Sequence, residues 1–199
     1  MPKVTALRRE NRRRVLVEVD GKPWRVFAES VVAAARLAPG EKLDRDRLAV
    51  LARERRRAEA LATATRALRY RDSSERRLVD RLARAGVREP DRREALARLE
   101  RAGFVDDRRF ASARAQTLAV RGLGDAAIRD ALEREQLAPQ TIDEAIEALE
   151  PEHERARLVV TRRGATAATA RYLARRGFSD ETVESALATF AETDPRAYD

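Results

Sequence analysis

Apolar positions along this chain keep two different periods. Near the N-terminus the pattern is that of strands. Arg14-Val15-Leu16-Val17-Glu18-Val19 and Lys22-Pro23-Trp24-Arg25-Val26-Phe27-Ala28 are rich in Val and aromatic residues. Between them lies Asp20-Gly21, a pair suited to positive φ, so the pattern predicts a β-hairpin over about 13–28. A short helix over 29–36 should end before Pro39-Gly40, and Asp44 can cap a helix over 45–57 that runs toward the next segment. Residues 1–11 are basic and read as a loose arm.

From Ala58 onward the period is helical, and one unit is written three times. Leu82-Ala83-Arg84-Ala85-Gly86-Val87, Leu132-Glu133-Arg134-Glu135-Gln136-Leu137 and Leu173-Ala174-Arg175-Arg176-Gly177-Phe178 share a Leu four residues before Gly or Gln, then an apolar residue. Ten residues beyond Gly86, Gln136 and Gly177 stand Leu96, Ile146 and Leu187; thirteen beyond stand Leu99, Leu149 and Phe190. The copies lie 50 and then 41 residues apart, a period that implies stacked helical modules. The first module has helices at 58–70, 74–85 and 90–102; the second at 106–120, 125–135 and 139–149; the third at 152–163, 166–176 and 180–191. Asp72 or Ser73, Asp106, Asp125, Thr166 and Ser179 are the expected caps. Gly86, Gly103, Gly164 and Gly177 are the expected stops, and Gly122 and Gly124 break the chain within the second module. The expected organisation is an N-terminal extension over 1–57, repeats over 58–102, 103–150 and 151–191, and a polar tail over 192–199. The fold class is mainly α, with three tandem three-helix modules, a small N-terminal hairpin and an elongated form.

Composition narrows the chemistry. Aromatics are 5% of the 199 residues, which suits thin helical modules better than one large core. There is no Cys, which excludes disulfides and thiolate metal sites. No apolar run approaches the roughly 20 residues of a membrane span, and no signal-peptide stretch follows the basic N-terminus, so the expectation is a cytoplasmic protein. The net charge is +8, and 39 of the 42 basic residues are Arg. Residues 1–57 carry 16 basic and 8 acidic side chains, whereas 103–150 carry 6 and 10. The basic half can steer a polyanion such as DNA, or an acidic protein surface.

Catalytic constellations are lacking. His153, the one histidine, stands among Glu152, Glu154 and Arg155 and reads as a surface residue. Arg121-Gly122-Leu123-Gly124 is too short for a phosphate cradle and reads as a turn between helices. Asp106-Asp107 has no third acidic ligand nearby; one Asp should cap the helix that follows. Phe104 and Phe110 read as core residues. The Arg runs have acidic neighbours at helical spacing, which favours solvated faces for any single pair. No aromatic accompanies them in an RNA-binding pattern.

Three stretches resemble the RecX family, bacterial regulators of the RecA recombinase. They are Ala67-Leu68-Arg69-Tyr70-Arg71-Asp72-Ser73-Ser74-Glu75-Arg76-Arg77-Leu78, then Leu99-Glu100-Arg101-Ala102-Gly103-Phe104-Val105-Asp106-Asp107-Arg108-Arg109-Phe110-Ala111, then Arg121-Gly122-Leu123-Gly124 with Ile128, Arg129 and Leu132. The N-terminal hairpin and Pro39-Gly40-Glu41 are similar to the extension of longer members. Gln136 departs from the glycine usual at its helix end, and the third repeat diverges most. The resemblance implies a non-enzymatic, cofactor-free monomer of DNA repair, recombination and the SOS response. It would bind the RecA filament on single-stranded DNA, and double-stranded DNA as a further partner, and lower ATP hydrolysis, strand exchange and co-protease activity. Arg71, which the family motif includes, and Arg76, Arg77, Arg109, Arg121 and Arg129 are the candidate partner or DNA contacts. The rival reading is a standalone DNA-binding protein without sequence preference. Gln140, Asp143, Glu144 and Glu147 on the third helix of the second module argue against repeated insertion into a DNA groove.

Overall fold

The computed structural model describes residues 1–70 and 73–193. The chain is 63% helical with one small antiparallel sheet, a mainly α fold as the pattern predicts. It divides into two compact units: residues up to 71 with 78–104, and residues 72–77 with 105 onward. The helix shared between these ranges is α3 (Glu75–Arg84), whose first turn belongs to the second unit.

The first unit opens with β1 (Val4–Asn11), β2 (Arg14–Val19) and β3 (Lys22–Ala28), in the order β1-β2-β3. The expected hairpin is therefore two arms of a three-stranded sheet. Asp20 and Gly21 both have positive φ, +47° and +77°, the two-residue geometry that matches strand twist. The segment expected to be a loose arm is instead an edge strand, with Val4 opposite Val19 and Leu7 opposite Val17. Only Val4 of β1 is fully buried, while Arg8, Arg9 and Glu10 leave its outer half exposed. Charge on an edge strand discourages further pairing, and it also hides the alternating pattern that reveals strands.

Beneath the sheet, Val4, Val15, Val17 and Phe27 share a core with Val31 and Val32 of α1 (Glu29–Ala34) and Leu51 of α2 (Arg45–Tyr70). Asp44 Oδ1 accepts the Arg47 N–H at 2.8 Å, capping α2 as expected. This helix runs without a break through 57 and 58. Its buried face changes along its length: Leu51 serves the sheet core, while Ala60 and Ala64 are buried on the stretch that meets α4 (Glu89–Arg101). Small residues there let the two helices approach closely. On α4, Ala95, Leu96 and Leu99 are buried, and buried Asp91 accepts two bonds from Arg88 at 2.9 and 3.0 Å.

The second unit contains two helix trios with separate cores. The first trio is α5 (Asp107–Val120), α6 (Asp125–Glu133) and α7 (Pro139–Glu147), built on Ala111, Leu118, Ile128, Leu132 and Ile142. The second is α8 (Glu152–Arg163), α9 (Ala167–Arg175) and α10 (Asp180–Thr193), built on Ala156, Val160, Leu173, Phe178 and Val183. The three aligned leucines, Leu82, Leu132 and Leu173, are each fully buried. After two of them the chain turns through a left-handed glycine, Gly86 or Gly177, and the next N–H returns to the leucine carbonyl. That is the helix stop the spacing predicts. Gln136 takes the same turn at φ +60°, a conformation costlier for a side chain than for glycine.

Several details differ from expectation. The side-chain cap of α3 is Ser74, whose Oγ accepts the Arg77 N–H at 3.3 Å; Ser73 does not hold that place, and Asp72 lies outside the described residues. Asp125 is the first residue of α6, not its cap; Glu152 Oε1 accepts its N–H at 2.6 Å. Phe104 is 65% exposed, because Val105 takes the buried position beside it.

Candidate partner interface

Four of the six candidate arginines sit where helices of the second unit begin or end. Arg71 lies outside the described residues. Arg76 and Arg77 occupy the first turn of α3, Arg109 the first turn of α5, Arg121 the end of α5, and Arg129 the middle of α6. The structure does not give them a common role.

Arg77 is committed within the fold. Its guanidinium meets Glu135 Oε2 at 2.5 Å, and Glu135 is buried. Ser74 Oγ also donates to the Glu135 backbone carbonyl, and Asp107 Oδ1 accepts the Glu75 N–H at 2.8 Å. The start of α3 is thus tied to both ends of the α5–α6 region by side chains that its own sequence neighbourhood does not reveal. Arg129 pairs with Asp143 of α7 at 2.6 Å, both groups about half exposed. Such a pair contributes little to stability and can exchange partners cheaply. Arg76 is exposed and has no ion-pair partner among the described residues. Arg109 is exposed, and its N–H donates to the capping carboxylate of Asp106 at 3.0 Å. Arg121 is exposed, and its backbone carbonyl accepts Arg176 Nη2 at 2.9 Å.

That last contact leads to a cluster the sequence did not bring forward. Tyr172 is approached by the guanidinium of Arg163, 4.3 Å from the ring centre, and that of Arg176, 5.4 Å away. Arg176 Nε also donates to Tyr172 Oη at 3.2 Å. Tyr172 thus accompanies two of these arginines within the fold, without forming an RNA-binding sequence pattern. The four-residue spacing of Tyr172 and Arg176 was the available signal. Arg163 carries no ion pair among the described residues, so its stacked guanidinium keeps its donors for a carboxylate or phosphate.

At the joint of the two trios the surroundings displace two carboxylates from their ordinary pKa values. Burial raises the Asp125 carboxyl above its ordinary value, against the pull of Arg155. Arg155, itself buried, donates to Asp125, to the Glu150 carbonyl at 2.9 Å and to the Leu123 carbonyl at 2.7 Å, and lies over the Phe178 ring. For Glu152, burial acts upward, but the donors from Asp125, Ser179 and Thr182 together hold it below its ordinary value. This joint is structural: every group in it is spent on another. Among the described residues no set of three or more His, Asp or Glu side chains is placed to hold a metal ion. No helix among them is long and apolar enough to cross a membrane.

Fold and site together define a mainly α protein of helix trios with arginines exposed at helix ends. No protein-family model matches the chain. It is 30% identical over 153 residues to the regulatory protein RecX of Deinococcus radiodurans, a match spanning 72% of this chain and 74% of that protein. It is 27% identical over 154 residues to the regulatory protein RecX of Limosilactobacillus reuteri, spanning 76% of this chain and 58% of that longer protein. Among solved structures, a regulatory protein RecX superimposes with a TM-score of 0.78 over 92% of this chain and 98% of its own, at 23% identity. RecX from Lactobacillus salivarius does so with a TM-score of 0.61 over 69% and 97%, at 14% identity. The chain belongs to the RecX family of regulatory proteins.

Proposed function

We propose that this chain is a negative regulator of the RecA recombinase. It binds the RecA filament on single-stranded DNA and lowers its ATP hydrolysis, strand exchange and co-protease activity, in DNA repair, recombination and the SOS response. It acts as a cytoplasmic monomer without a cofactor and without enzymatic activity of its own. Membership of the RecX family carries the reading. Arg76 and Arg121, exposed and without an ion pair among the described residues, and Arg109, exposed in the first turn of α5, support it as side chains that an acidic or phosphate-bearing partner can reach. Arg71 joins them through the family motif. Arg129 can join by leaving Asp143. Arg77 contributes by holding the start of α3 through Glu135.

A second reading, a standalone DNA-binding protein that also takes double strands, draws on Tyr172 with Arg163 and Arg176. A protein that merely coats DNA through about six phosphate contacts should lose roughly 10³-fold in affinity between 50 and 200 mM salt. The test compares binding to the filament and to bare single strands of equal length at physiological salt. The regulator binds the filament more tightly. Alanine at Arg71, Arg76, Arg109 and Arg121 weakens inhibition of filament ATP hydrolysis and leaves the helical spectrum unchanged. Equal affinity for filament and bare DNA, with unchanged recombinase turnover, would refute the regulator reading and leave the DNA coat.

A further inference from the structure

A groove of about 470 Å³ lies in the first unit, between α1, the stretch of α2 from Glu54 to Arg69, and α4. Its floor is one face of α2: Ala58, Leu61, Ala62 and Thr65. Its walls carry five arginines. Arg57 pairs with Glu54 at 3.2 Å, and Arg98 with Glu94 at 2.9 Å. Arg13 from the sheet and Arg66 and Arg69 from α2 have no ion pair among the described residues, and all three are exposed. On the other faces of the same stretch of α2, Arg53, Arg55 and Arg56 each have a carboxylate partner. Between Arg53 and Arg69 the unspent positive charge is therefore gathered on the groove side of this helix.

We propose that this groove is a docking site for an acidic, partly apolar segment of a partner protein, and that Arg13, Arg66 and Arg69 pair with its carboxylates. This does not rest on the recombinase reading of the preceding subsection. Three observations select the occupant. Unpaired guanidiniums offer forked donors that match carboxylate or phosphate. The floor is aliphatic and small-residued, with Leu61 half-buried, so an occupant with apolar side chains covers surface that a phosphate backbone would leave bare. No aromatic side chain lines the groove, so a single nucleic-acid strand would find no stacking platform there. From Glu54 to Arg69 the α2 face is about 22 Å long, the length of a helix of roughly 15 residues.

The test uses the full chain and a fluorescently labelled 15-residue peptide of Glu, Leu and Ala, with Leu at helical i, i+3, i+4 spacing. A labelled 15-nucleotide oligothymidylate is run in parallel. Peptide binding, read by anisotropy, should weaken about tenfold or more when Arg13, Arg66 and Arg69 are all changed to Gln. It should also weaken in Ala62→Leu, which fills the floor without changing charge and leaves oligothymidylate binding unaltered. Circular dichroism confirms that the variants keep their helices. Absence of peptide binding, or equal binding by the wild type and the triple variant, would overturn the proposal. Loss of oligothymidylate binding alone in the triple variant, with no effect of Ala62→Leu on the peptide, would make the groove a nucleic-acid site instead.

Discussion

Gly122 and Gly124 look alike in the sequence, two glycines in one turn, yet the structure assigns them different work. Gly124 has φ −79° and ψ 170°, a backbone that any residue adopts. A Cβ added there would lie 2.2 Å from the Gly177 carbonyl oxygen and 2.3 Å from Phe178 N. Backbone cannot swing aside as a side-chain end can. The two segments would have to part by over an ångström, which stretches Gly124 N–H to Arg176 O at 2.9 Å and Ala126 N–H to Gly177 O at 3.2 Å. Overpacking costs about 1–3 kcal/mol and each lost hydrogen bond about 0.5–1.5 kcal/mol, so Gly124→Ala should cost roughly 2–5 kcal/mol. Gly122 has φ +77° with only Arg176 Nη2 near, at 4.0 Å. Gly122→Ala should cost about 1–2 kcal/mol, the left-handed penalty alone. Urea unfolding followed by circular dichroism measures both. If Gly124→Ala costs no more than Gly122→Ala, the close approach of Gly124 and Gly177 is not what holds this joint.

Replacing Leu82, Leu132 or Leu173 by Ala should each cost about 2–5 kcal/mol, since all three are fully buried; wild-type midpoints in all three would undo the repeat alignment. Arg77→Ala should cost about 1–2 kcal/mol, discounted because Arg77 is half exposed, and Glu135→Gln in the same chain should recover part of the loss in a double-mutant cycle. Glu152 has a lowered folded pKa, so its contribution is complete above the ordinary glutamate value of 4.5 and is lost as pH falls through the lower folded value. Glu152→Gln should therefore reduce stability at neutral pH and flatten the acid decline in thermal melts. Asp125, raised chiefly by burial, has the opposite sign and gains as pH falls, so a steeper acid decline in Glu152→Gln than in the wild type would contradict the assignment.

What could be read from sequence alone was local. Leu82, Leu132 and Leu173, the Asp20-Gly21 turn and the capping residues Asp106, Thr166 and Ser179 each act at a fixed offset of a few residues. The features that escaped depend on partners far along the chain. β1 is strand-like only because β2 accepts it, and its outer half is charged. Phe104 follows a glycine stop, as Phe178 does, but Gly103 closes the third helix of its module and not the second, and Val105 goes inward in its place. The candidate arginines were legible as basic residues at helix ends. Their division into spent and available groups was not, because Glu135 lies 58 residues from Arg77, and Arg163 reaches Tyr172 from the preceding helix.

Glu152 bears on how such a chain can grow or shrink in evolution. One of its oxygens accepts the first N–H of α6 and the other meets Ser179 ahead of α10, so a residue of the last trio closes a helix of the trio before it. The Gly124–Gly177 approach crosses the same joint. A gene that lost α8–α10 by deletion would leave α6 with an open helix start and Asp125 without its Arg155 partner. A gene that gained a copy by duplication would need a second carboxylate and a second pair of bare backbones at the new seam. Substitutions in α8–α10 and their turns should therefore be tolerated least at Glu152, Arg155 and Gly177, whose partners lie on α6 and the turn before it.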